Sequence, residues 1–86
     1  MGTERRTVEL LAALGRVVQA RRQKMRYTQE SLADAADLHR TFIGAIERGE
    51  RNVTFKNIVA VADALCIPIS TLIGIAEAEL SAGKPA

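Results

Sequence analysis

Arg40-Thr41 and, one helical turn later, Gly44-Ala45 form the part of this chain best suited to reading a polyanion. A guanidinium fork matches the O6 and N7 acceptors of guanine, and one good bidentate contact of that kind discriminates between bases by about 1–3 kcal/mol. The same group can instead clamp a phosphate, so Arg40 has two readings. Thr41 offers a methyl to thymine or a hydroxyl to a phosphate. Gly44 and Ala45 carry no hydrogen-bonding side chain and suit close approach or an apolar contact with a thymine methyl. Other chemistries find little support. His39 is the sole histidine and Cys66 the sole cysteine, so neither a metal-ligand cluster nor a Cys-His nucleophile can be assembled, and no glycine-rich phosphate loop is present. The expectation is a non-enzymatic protein with no metal, no cofactor and no evident small-molecule ligand.

These residues need a frame. Thr28-Gln29-Glu30-Ser31-Leu32-Ala33-Asp34 and then Asp37 to Gly49 spell two short helices joined by a tight turn, with Thr28 as N-cap and Gly49 as stop. Leu32, Ala33, Ala36, Leu38, Ile43 and Ile46 can share one buried side, and Ala33 is small enough to let the two helices cross closely. Before them, the apolar stripe Leu11, Leu14, Val17, Val18 predicts a first helix over about Val8 to Lys24. After them, a helix capped by Thr54 is expected over Phe55 to Leu65, ended by Pro68, and a last helix from about Ser70, extending as far as Leu80. In that last helix Leu72, Ile73 and Ile75 are expected on the surface. Residues 1–7 read as a basic flexible arm, 8–80 as the folded domain and 81–86 as a flexible tail.

The chain resembles the Cro and phage-repressor class of helix-turn-helix regulators. The carriers of the resemblance are Arg22, Thr28-Gln29, Leu32-Ala33, Ile43, Ile46-Glu47-Arg48-Gly49, Arg51-Asn52, Ala62, Ala64-Leu65 and Leu72. Within that class, the run from His39 to Thr54 is especially similar to the controller proteins of restriction-modification systems. The resemblance implies an all-α, compact five-helix, lambda-repressor-like domain whose second and third helices form the helix-turn-helix. It implies base readout by Arg40, Thr41, Gly44 and Ala45, with backbone contacts from Gln29, His39, Arg48, Arg51, Asn52 and Thr54. It also implies that Glu47, misplaced beside phosphates, is occupied by an ion pair with Arg22. Three positions depart from the family pattern: Arg26, Asp37 and Cys66 stand where glycine is common. If each takes a left-handed backbone, Arg and Cys do so at a cost on the order of 1 kcal/mol apiece. Phe42 packs toward the core or lies against DNA, and partial burial is the favoured reading.

Length and charge agree with this picture. A chain of 86 residues makes one small domain that buries only about 60% of its unfolded surface, so a partner subunit would help stability. Tyr27, Phe42 and Phe55 are the only aromatics, which points to an aliphatic, alanine-rich helical core. The net charge of +2 is lopsided: seven basic residues up to Arg26 oppose Glu4 and Glu9, whereas from Asn57 onward Lys84 alone opposes Asp63, Glu77 and Glu79. Such an asymmetry orients a domain as it approaches phosphates. With one cysteine, no signal peptide and no long apolar span, a cytoplasmic protein without a membrane role is expected. The reading is therefore a transcription regulator that binds a palindromic operator in double-stranded DNA as a homodimer, joined through Ile69, Leu72, Ile73 and Ile75. The alternative is a protein-interaction module or antitoxin that keeps the helix-turn-helix fold.

Overall fold

The computed structural model describes residues 2–83, with side chains to Ser81. Five helices follow in order: α1 Gly2–Lys24, α2 Gln29–Ala36, α3 Arg40–Glu47, α4 Phe55–Ala64 and α5 Ile69–Gly83. There is no strand among the described residues. The helix starts are set by side-chain caps. Thr28 accepts from the Ser31 amide while Ser31 Oγ accepts from the Thr28 amide, a reciprocal capping box for α2. Thr54 Oγ1 accepts from the Asn57 amide at 3.2 Å and opens α4. The helix ends turn on left-handed residues, Arg26 (φ 63°), Asp37 (φ 57°), Gly49 (φ 72°) and Cys66 (φ 56°). The three departures from glycine thus all fall where a left-handed backbone is needed. Arg21 Nε donates to the Leu65 carbonyl at 3.3 Å, satisfying one of the acceptors left open at the end of α4.

Both chain ends differ from expectation. α1 starts at Gly2 rather than Val8, so residues 2–7 of the expected arm are helical, and Met1 lies outside the described residues. Two exposed ion pairs reach the extra turns from far along the sequence, Arg6 with Glu77 at 3.2 Å and Arg51 with Glu4 at 3.6 Å. α5 likewise runs on to Gly83, through the start of the expected tail, and residues 84–86 lie outside the described residues.

Leu32, Ile43, Leu65, Leu72, Val18 and Val61 are the largest fully buried side chains, drawn from all five helices. Leu72 is the correction here: the sequence reading places it on an outer face, but it is completely covered within the chain. The reason is register. Leu72 and Ala76 lie one turn apart on the inward stripe of α5, which leaves Ile75, 45% exposed, on the outside and Ile69 and Ile73 half-buried between. α1 crosses the end of α3 at very short range. A Cβ on Gly15 would stand 2.5 Å from the Ile46 carbonyl oxygen and 2.6 Å from that of Glu47. A Cβ on Gly49 would stand 2.9 Å from Ala12 Cα. These two glycines set how near α3 comes to its support.

Candidate nucleic-acid interface

The α2-α3 pair buries Leu32, Ala33, Ile43 and Ile46 and turns its polar side outward. At the start of α3, His39 is itself the N-cap: its Nδ1 accepts from the Thr41 amide at 3.2 Å and lies 2.9 Å from Thr41 Oγ1. The sequence places His39 among phosphate-facing residues; the structure shows that its ring also closes the helix end from which Arg40 and Thr41 project. Both of those side chains are exposed.

Behind them runs a continuous polar chain. Arg40 Nη1 donates to Gln29 Oε1 at 3.4 Å, Gln29 Nε2 donates to Glu47 Oε1 at 3.0 Å, and Glu47 is gripped by Arg22 through Nε at 2.6 Å and Nη2 at 3.2 Å. Arg22 Nη1 donates further to the Tyr27 carbonyl at 3.0 Å. The Arg22 and Glu47 side chains are only 11% and 5% exposed, so this pair sits inside the junction of α1, α2 and α3 rather than on the surface. Gln29 is the link between that buried pair and the exposed Arg40. This role was not evident from spacing alone, because it depends on how α2 and α3 cross.

At the other end of α3 the arrangement is different. Arg48 Nε donates to Glu50 Oε2 at 2.7 Å, and its guanidinium lies over Gly44. Gly44 is buried as a result, so in this state it presents no surface for base readout, while Ala45 is half-buried. Arg51 and Asn52 are exposed in the turn that follows, and Thr54 is engaged in capping α4. Phe42 keeps 45% of its surface exposed beside this face instead of entering the core. Glu4 and Glu50, the partners of Arg51 and Arg48, escaped sequence reasoning. Glu50 lies two positions from Arg48, so its pairing had a local signal. Glu4 had none. No group of three or more metal-ligating side chains occurs among the described residues.

Comparison with known proteins matches this geometry to a family. The helix-turn-helix family profile matches residues 18–72, from the last two turns of α1 to the first turn of α5. The chain is similar to control protein C.BamHI of Bacillus amyloliquefaciens, 50% identical over 50 residues that cover 58% of this chain and 62% of that protein. It is also similar to control protein C.SmaI of Serratia marcescens, 46% identical over 46 residues that cover 54% of this chain and 55% of that protein. The matched stretch thus spans somewhat over half the length of these curated relatives. Among solved structures, the restriction-modification controller protein C.AhdI from Aeromonas hydrophila superposes with a TM-score of 0.68 at 37% identity, over 72% of this chain and 94% of that one. The family is one of DNA-binding regulators, not enzymes. With its all-α architecture, the buried helix crossing and the exposed start of α3, the chain belongs to the helix-turn-helix family.

Proposed function

We propose that this protein is a sequence-specific DNA-binding transcription regulator, acting in the cytoplasm as a homodimer in the manner of a restriction-modification controller. The observation that carries this reading is the start of α3: Arg40 is exposed, steered from behind by Gln29, and projects from a helix whose opposite face is sealed into the core. A helix so mounted enters the major groove with its first turn toward base edges. Arg40 and Thr41 are then the base readers, with Ala45 near a methyl. Gln29, His39, Arg51 and Asn52 take backbone positions, with Thr54 at the edge through the α4 N-terminus.

Symmetric operators need paired readers. The surface suited to pairing is the α1-α5 side, where exposed Ile75 borders a groove of about 320 Å³ lined by Val17, Ala20 and Ile67 together with the charged Arg16, Lys24 and Glu79. Ile75 is the contact in this proposal, Ile69 and Ile73 flank it, and Leu72 supports the helix from within. Selection of binding sites from random duplexes with the purified protein tests the whole reading. A motif with two symmetric halves about one helical turn apart is expected; recovery of no preferred sequence would reject it in favour of a protein-interaction module.

A further inference from the structure

Arg40, Gly44 and Arg48 lie at successive turns of one stripe of α3 and its cap, so the stripe carries two arginines with a glycine gap between them. Arg48 fills that gap. Apart from its chain neighbours and the nearby backbone of α3, the three heavy atoms nearest to where a Gly44 Cβ would stand are all from Arg48: Nη1 at 2.9 Å, Cζ at 3.7 Å and Nη2 at 3.8 Å. A side chain leaving a helix end runs back over the preceding turn, and the missing side chain at Gly44 is what gives it room to lie flat. The folded-back position is held by Glu50, whose Oε2 accepts from Arg48 Nε at 2.7 Å.

A carboxylate and a phosphodiester each offer anionic oxygens that a guanidinium can grip, so the two compete for it. We propose that Glu50 is an intramolecular stand-in for a DNA phosphate: it latches Arg48 over Gly44 in the free protein, and duplex DNA must displace it before Arg48 can engage the backbone and α3 can seat with Gly44 uncovered. Glu50 is therefore an autoinhibitory residue that sets the threshold for DNA binding. The latch is weak enough to open. Arg48 and Glu50 are 63% and 40% exposed, and pairs of that kind are displaced readily by the dense charge of a duplex.

The inference rests on the DNA-binding reading, and a binding cycle separates the two. Affinity for a mixed-sequence DNA duplex is measured by fluorescence anisotropy at low salt for the parent protein, Glu50→Gln, Arg48→Ala and the double variant, with circular dichroism confirming the fold. Glu50→Gln should tighten binding by up to about five-fold. In the Arg48→Ala background that gain should disappear. An equal gain in both backgrounds would make Glu50 a general repulsive charge and overturn the latch, as would no gain in either. Failure of the parent protein itself to bind duplex DNA at low salt would refute the DNA-binding reading and the latch with it.

Discussion

Removing one partner of the Arg22-Glu47 pair should cost more stability than any surface charge change in this protein. Glu47→Ala strands a guanidinium that is 11% exposed and keeps only the Tyr27 carbonyl as partner, and it also takes the acceptor of Gln29. Arg22→Ala leaves a carboxylate, 5% exposed, with Gln29 alone and withdraws the donor to Tyr27. Breaking a buried pair from one side costs roughly 3–5 kcal/mol. Chains of this length are stable by only about 4–13 kcal/mol in total, at roughly 0.05–0.15 kcal/mol per residue, so either variant approaches the limit of folding. Each kcal/mol shifts Tm by about 4–8 °C at this size, which puts the expected fall above about 12 °C. The double variant strands neither charge and should lose clearly less than the sum of the singles. Urea titration of all four proteins, with m unchanged, measures the coupling. Two small additive losses, each below about 1 kcal/mol as for exposed pairs, would refute the placement of this pair at the helix junction.

Three further outcomes are expected. Gly15→Ala should destabilise by about 1–3 kcal/mol in thermal melts, because the added Cβ meets the backbone oxygens of Ile46 and Glu47 and α3 must move away from α1. Ile75→Asp should abolish self-association in sedimentation experiments while leaving the helical spectrum intact, whereas Leu72→Asp should unfold the chain, since Leu72 is fully buried. Arg51→Ala should weaken binding to all duplexes alike and lower the slope of log affinity against log salt by about one unit, the signature of a lost phosphate contact.

The central part of the fold is legible because its instructions are local. Thr28 and Thr54 announce helix starts, Gly49 and Pro68 bound helices, and the spacing of Leu32, Ile43 and Ile46 marks an inner face. The left-handed positions at Arg26, Asp37 and Cys66 are legible through the family resemblance, since glycine would be expected there. What escaped depends on partners far away in sequence. Residues 2–7 are helical and meet Glu77 and Arg51, contacts that no local pattern announces, and the burial of Leu72 depends on how α5 rotates against α1, which a run of Leu72, Ile73 and Ile75 does not settle by itself. In the candidate site, residue types were readable but not their engagements. Arg48 looks like a free cation in the sequence; in the fold it is folded over Gly44 and tied to Glu50.

The central claim is that Arg40 reads a base, and site selection with the parent protein and Arg40→Ala side by side tests it most directly. The account predicts one motif for the parent and, for the variant, the same motif with discrimination relaxed at a single G·C pair in each half by about 1–3 kcal/mol. An unchanged motif bound uniformly more weakly would contradict it, leaving Arg40 as a phosphate clamp and sequence preference to DNA shape.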